Sequence, residues 1–442
     1  RAADVGRFIA IHGGLVRIDV RDSATQVRGE LLSEMGGTTA ADPPSVIGGA
    51  WTLEVSSWTS TTGFPRTGEF FQGRLVQAAT AKQPTTFWAS QSDEFEIYAV
   101  GVAADDAIDY TLASRQLNRI QWIADNLNMY LGTAGSELRV SSGGTKSDSP
   151  LGGDNVPLVV RLTTEGSPSI QPAIINRRII FVDRSLRKIF VLAYNLEEDG
   201  LDAYELTSIA SHITGTTGIR LGPLGVQRRP DPRVYFIRTD GTMVVLTYFS
   251  NEKVVGFSRY TTTGTFESVA VIPQSSGPDQ VWVIVKRTIN GATKRYVEVF
   301  DPDAAEFSGR PWTTFHTDCA KAYDLSGVAT TVFTGLTHLE GMTVSIVADG
   351  SYRGTKVVAS AQITLDESAS DYVEVGLAYN STLETMRPSV EGQMVEGLPR
   401  QWIKLWARFY ETLGGKLNSE EIPYELKSVA TLFTGDKDVT GY

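Results

Sequence analysis

Apolar and polar positions alternate with a period of two along most of the chain. Runs rich in Val, Ile, Tyr, Phe, Thr and Trp recur, separated by Gly, Asp, Asn, Pro and Ser. LVRIDV, RVYFIRTDGTMVVLTYF, QVWVIVKRTINGATKRYVEVF, MTVSIVADG and QWIKLWARFY are examples. Successive strand residues point to opposite faces, so this pattern predicts many short strands in layered sheets. Asp240-Gly241, Asn290-Gly291 and Asp349-Gly350 each sit between two such runs and supply the positive φ of a tight turn, which predicts three hairpins. Helical periodicity is sparse. YELTSIASHITG places Leu206, Ile209, Ala210 and Ile213 at i, i+3, i+4 and i+7, which predicts a short helix lying on a sheet. TLASRQLNRIQWI reads either as a helical turn or as entry into a strand. With no longer stretch of this period, the pattern disfavours α/β folds and helical bundles.

A loose repeat runs from about residue 60 to 310, each unit holding an apolar strand, a polar turn, an aromatic-rich strand, a second turn and a third strand. The units are GRLVQAAT, TTFWAS, EFEIYAV; RIQWIAD, NMYLGT, ELRVSS; IQPAIIN, RIIFVDRS, KIFVLAY; LGVQRR, RVYFIRT, TMVVLTYF; and SVAVIP, QVWVIVKR, KRYVEVF. Their middle strands begin near Phe87, Met129, Ile179, Val234 and Val281, giving steps of 42, 50, 55 and 47 residues. Such spacing suits three- or four-stranded propeller blades. The expected fold is therefore mainly β, a divergent β-propeller flanked by smaller β domains, with a stacked β-sandwich as the alternative. Residues 1–59 form an N-terminal β region, part of a platform or docking domain. Residues 60–310 form the propeller, and residues 311–442 a C-terminal β domain with exposed loops. Gly36–Gly49 and Met386–Arg400 read as long loops. Trp88, Tyr130, Phe181, Phe236 and Trp282 occupy equivalent places in the middle strands and are expected to point into the core.

Composition narrows the classes. Among 442 residues, Lys plus Arg is 40 and Asp plus Glu is 51, a net charge of −11. A generic nucleic-acid binder is disfavoured, because affinity for phosphate grows with the cations that displace counterions. No apolar run is long enough for a membrane-spanning helix. The opening RAADVGRFIAIHGGLVRIDV alternates instead of forming an apolar core, so no signal peptide is expected, and its start at Arg suits a piece of a longer chain. The single cysteine, Cys319, excludes an intrachain disulfide and a Cys-based zinc site.

Candidate chemistry is thin. The chain has no HExxH, GxSxG or Walker A string; SSGGTKS, with Lys146 and Ser147, lacks the first Gly at the required spacing. His12, His212, His316 and His338 are scattered, with no pair at ligand spacing. His338 beside Glu340 allows an acid–base pair, but THLEG reads better as a turn. Asp105-Asp106 and Glu197-Glu198-Asp199 are the acid pairs a glycosidase would need, and they read better as solvated loops. EEDG lacks the alternating ligands of a calcium loop. Arg177 and Arg178, and Arg228, Arg229 and Arg233, read as charged strand edges. No catalytic, cofactor-binding or metal-binding residues are expected, and the chain is expected not to be an enzyme.

Several strings in order carry a resemblance: GEFFQGRLVQAATAKQPTTFWASQSDEFEIYAV, NRIQWIADNLNMYLGTAGSELRVSS, DAYELTSIASHITG, DGTMVVLTYFSNEKVVGFSRY, ESVAVIP with WVIVKRTING, then GLTHLEGMTVSIVADG and VGLAYNSTLETM. Together they resemble the tail nozzle (tail tubular protein B-like) proteins of short-tailed bacteriophages over roughly residues 1–385. Gly256-Phe257 stands where that family more often has Gly-Trp. The resemblance implies a structural virion protein, assembled in the host cytoplasm, forming a six-fold homo-oligomeric ring at the distal end of the tail. Its implied partners are a tail adaptor ring, tail fibres or spikes, and genomic DNA that passes through the channel without specific binding. Host cell-surface contact is compatible with this role and stable membrane insertion is not. Such a conduit is expected to have an acidic or neutral lining. The alternative is a glycan-binding or glycan-cleaving host-recognition protein.

Overall fold

The computed structural model describes residues 5–11, 14–33, 51–53, 58–113, 117–142, 150–195, 200–252, 254–301, 315–384, 404–412, 415–422 and 433–439. The protein is mainly β. Its described strands pair antiparallel throughout, in ten small sheets, none of which closes into a barrel. Two compact units divide the chain, residues 1–222 and 223–442.

In the first unit, sheet 1 holds Phe8–Ile11, Gly14–Arg21, Val27–Ser33 and Trp51–Leu53. Three four-stranded meanders follow, each with neighbouring strands in chain order. Sheet 2 is Thr67–Phe71, Arg74–Ala78, Thr86–Ala89 and Ile108–Thr111. Sheet 3 is Ile120–Asp125, Met129–Thr133, Glu137–Ser142 and Pro157–Arg161. Sheet 4 is Ala173–Ile175, Arg178–Val182, Ile189–Asn195 and Gly200–Glu205.

The first two strands of sheet 3 are buried on both faces by alternation from Trp122 onward. Ile123, Met129, Leu131 and Val140 enter a core with Phe71, Val76 and Phe87 of sheet 2. Trp122, Ala124 and Tyr130 point the other way, into a core with Ile179, Phe181, Phe190 and Leu192 of sheet 4. Each large apolar side chain so buried contributes about 1.5–3 kcal/mol. Gly132 pairs with Trp122 in register, and a Cβ on Gly132 would fall 2.0 Å from the indole ring. The missing side chain is what lets that ring lie across the strand.

In the second unit, sheet 5 is the meander Gly225–Gln227, Arg233–Ile237, Met243–Phe249 and Val254–Tyr260. Sheet 6 is the three-stranded meander Thr265–Ile272, Gln280–Ile289 and Ala292–Val299. Tyr235, Ile237, Met243 and Val245 of sheet 5 share a core with Phe266, Val269, Val281, Val283 and Val285 of sheet 6. A separate β domain follows. Its sheet 7 holds Asp318–Asp324, Thr343–Ala348, Ser351–Val357 and Tyr372–Leu377, and Thr330–Thr334 pairs with Gln362–Ala369 over a core that includes Phe333, Ile346 and Val375.

All three hairpins form. Asn290 and Gly291, and Asp349 and Gly350, have both central φ values positive, whereas at Asp240-Gly241 only Gly241 does. Three expectations need correction, and one open alternative, that of TLASRQLNRIQWI, is decided in favour of a strand. The helix in YELTSIASHITG shrinks to Ser211–Thr214, because Tyr204 and Glu205 are drawn into the last strand of sheet 4; Ile209 is 84% exposed. TLASRQLNRIQWI supplies the strand Ile120–Asp125. EFEIYAV is not a strand: the next strand of sheet 2 is Ile108–Thr111, and residues 91–107 are a loop. Trp88, Tyr130, Phe181 and Phe236 are buried, but Trp282 is not, since Val281, Val283 and Val285 take the covered face and leave Trp282 on the other. Gly36–Gly49, Met386–Arg400, Lys146, Ser147 and Glu197–Asp199 lie outside the described residues, as does His12.

Candidate functional site

The loop 91–107 that replaces the expected strand is held by unusual means. Arg74 sits in the second strand of sheet 2 with its side chain buried. Its guanidinium donates to the backbone carbonyls of Ser90 at 2.6 Å, Ala104 at 2.7 Å and Asp106 at 2.7 Å, gripping both ends of the loop. Burial lowers the Arg74 pKa, and the charges of Asp105, Asp106 and Asp154 offset part of that effect. Five fixed donors in a planar fork suit this task better than an ammonium would. Tyr98 anchors the middle: its hydroxyl donates to the Leu75 carbonyl and accepts from the Gln77 amide, and its ring meets Trp58 edge-on. Burial pushes the Tyr98 hydroxyl up to about 12.

What the loop displays is apolar and acidic. Phe95 is exposed and stacks edge-on against exposed Phe70 at 5.1 Å, while Val100 and Val102 are open, Val102 at 87%. Asp93, Glu94, Glu96, Asp105 and Asp106 are its charged residues, with no Lys or Arg between residues 91 and 107. Asp93 and Glu94 form no ion pair with a described residue, whereas Glu96 lies within electrostatic reach of Arg17.

A second open surface lies on sheet 6. Its uncovered face carries Ile272, Trp282, Ile284, Val297 and Val299, with Val297 68% exposed. Cross-strand register joins them, Trp282 opposite Val299 and Ile284 opposite Val297. The next pair along is Lys286 opposite Arg295. Arg295 is bound by Glu267 at 2.6 Å, and Lys286 pairs with no described residue.

The opposite face of sheet 6 is tied to the following β domain by Arg287. This guanidinium is fully buried, bidentate to Glu298 at 2.7 Å and also bonded to Asp318, Thr262 and the Thr263 carbonyl. Burial opposes its charge, but Glu298 and Asp318 hold its pKa above the ordinary value. Cys319 lies beside them, its thiol pushed up to about 12 by burial and by the Glu298 charge, which makes it a poor nucleophile. Glu374, buried in sheet 7, accepts the backbone N–H groups of His316 and Thr317 and the Thr317 hydroxyl. These groups fasten strands together.

The sequence candidates for chemistry are not brought together. His338 lies in the turn Thr337–Leu339, its pKa lowered by burial, while the Glu340 carboxylate accepts from the backbone of Ser360 and Ala361. Asp106 accepts from the Ala103 N–H and Asp105 is exposed. The backbone N–H groups of Arg228 and Arg229 are taken by Asp279, and the Arg233 side chain by Asp231. A shallow cleft of about 360 Å³ borders Asn290, Lys294 and Glu340. No group of three or more His, Cys, Asp or Glu among the described residues could hold a metal ion, and no described helix is long and apolar enough to cross a membrane.

The loop was missed because EFEIYAV alternates like a strand. The signal that could have found it was the doubling of acids around it, Asp93-Glu94 and Asp105-Asp106, which suits a loop better than a sheet interior. No protein-family model matches the chain, and no curated protein matches it.

Proposed function

We propose that this chain is a structural subunit of the nozzle of a short phage tail, in which blade-like sheets form a β-propeller and several copies form a ring that conducts DNA and carries fibres. The observation that carries the reading is sheet 3, a four-stranded meander whose alternate residues fill two different cores, one with each neighbouring sheet. Face-to-face stacking of successive meanders is how propeller blades are built, and sheets 2 to 6 are all meanders in chain order. The ordered resemblance to the tail nozzle family supports the same reading. Two exposed apolar surfaces on one chain suit a protein that works in an assembly.

Mass measurement on the purified full chain, followed by imaging of the particles, tests it. A closed ring of six copies around a central channel is expected. A chain that stays monomeric at micromolar concentration and binds or cleaves host glycan would overturn the reading in favour of a host-recognition protein. The channel lining is expected to be acidic or neutral, because each fixed cation facing a passing phosphate adds salt-dependent affinity. Tight duplex binding with a steep salt slope would contradict that.

A further inference from the structure

We infer that the loop 91–107 of one copy docks on the open face of sheet 6 of the next copy, so that subunits join head to tail. The inference rests on the reading of the chain as a ring subunit, with the row of blades left open after sheet 6, and names the two surfaces that make the joint. Both stay exposed in the isolated chain, although each presents large apolar side chains: Phe95, Val100 and Val102 on the loop, Ile284 and Val297 on the sheet. Fully covering one such residue contributes about 1.5–3 kcal/mol, so leaving both sets open is costly unless something covers them.

Charge decides which surface meets which. The loop bears five carboxylates and no cation. The sheet face bears Lys286, unpaired among the described residues, and Arg295 neutralised by Glu267, a net charge of +1. A loop-to-loop contact would set acid against acid, and a face-to-face contact would bring Lys286 toward its own copy. Only the unlike pairing sets the face that carries Lys286 against the loop that carries Asp93 and Glu94. Rigidity favours the same joint, because the Arg74 grip fixes the loop before it binds and reduces the ordering entropy lost on docking. A contact between two different patches on identical chains repeats from copy to copy, and a repeating contact closes a ring when the rotation allows.

The test uses the full chain and two double variants, all at exposed or half-exposed positions: Val100→Lys with Val102→Lys on the loop, and Lys286→Glu with Val297→Glu on the sheet. Thermal melts check that both fold like the parent. The parent should assemble beyond a dimer by light scattering. Each variant alone should associate at least about a hundredfold more weakly, since the loop variant weakens the negative charge, the sheet variant turns the positive face negative, and both remove apolar contact. An equimolar mixture should form a 1:1 pair and nothing larger, because only one intact loop and one intact face remain. A parent that assembles while either variant assembles as well overturns this joint and leaves the ring reading standing. A mixture that stays monomeric overturns it too. A parent that never assembles overturns both.

Discussion

Sheets 3 and 6 are written in the same sequence language and end in different surroundings. Each has an aromatic in its middle strand, Tyr130 or Trp282, between β-branched and aliphatic neighbours. Tyr130 is buried in the core that sheet 3 shares with sheet 4, whereas Trp282 lies half-buried on an open face, its indole N–H reaching Gln280 at 3.2 Å. Alternation specifies two faces but says nothing about what covers each of them. Coverage is a property of neighbouring sheets, and on sheet 6 one face stays exposed at Ile284, Val297 and Val299.

The largest expected effect breaks that comparison directly. Tyr130→Ala should destabilise the chain by about 3–5 kcal/mol, the range for emptying an aromatic site in a packed core. Trp282→Ala should cost only about 1 kcal/mol in the unassembled chain, because part of the ring is already wet. Urea melts at low concentration measure both, and equal losses would show that the open face is covered within the chain. Next in size, Arg74→Met strands three carbonyls at the ends of the loop and should cost about 1–3 kcal/mol. The sharper readout is local: amide exchange across 91–107 should rise by more than it does in sheet 3. Uniform loss of protection would mean that Arg74 supports the sheet rather than the loop.

How far the sequence carried these assignments follows from the same distinction. The hairpin at Asn290-Gly291 was legible because a two-residue turn is a local event, requiring only two residues that tolerate positive φ. Strands such as Met243–Phe249 were legible because seven consecutive strand-forming residues leave no competing period. EFEIYAV was misread because its alternation is equally compatible with a loop that buries Ile97 and Tyr98 inward while exposing Phe95 and Val100. What decides between them is Arg74, about 20 residues away, whose guanidinium competes for the carbonyls at both ends. The helix at YELTSIASHITG failed for a related reason: pairing with Ile189–Asn195 outweighed a one-turn helical preference. The candidate site depends on long-range contacts of this kind, so its residues were visible in the sequence but its role was not.

Gly132→Ala gives a smaller loss that sharpens the contrast between covered and open sheets. The new methyl would collide with the Trp122 ring, and overpacking of this kind costs about 1–3 kcal/mol. Gly256→Ala, in the last strand of sheet 5, meets no atom within 4 Å and should be neutral or slightly stabilising. If both changes were neutral in urea melts, the indole would have room to move and sheet 3 would be looser than its alternation suggests.

The smallest expected effect concerns charge, where the two sheets differ again. Sheet 6 buries Arg287 against carboxylates, but sheet 3 buries Glu137 among neutral donors: the hydroxyls of Thr163 and Ser167 and the Gly166 N–H. Burial raises the Glu137 pKa above 4.5, and those hydrogen bonds only partly counter it. A carboxyl with a raised folded-state pKa binds its proton more tightly in the folded chain. Its contribution to stability is therefore fully present below the unfolded value near 4.5 and is lost as pH rises through the folded value. Asp349 has the opposite sign. Burial opposes its charge, but the N–H groups of Asp371, Ser370 and Tyr372 hold its pKa below 3.8, so its stabilisation is present at neutral pH and lost as pH falls through that lower value. Acidifying from neutrality should then first relieve a cost in sheet 3 and only later remove a benefit from the C-terminal β domain. Glu137→Gln should abolish the early gain, seen as urea midpoints that no longer rise between neutral pH and 4.5, and leave the later loss intact. Asp349→Asn should do the reverse. If Glu137→Gln left the early slope unchanged, the carboxylate would be solvated in the folded chain, and sheet 3 would not be closed on both faces around it.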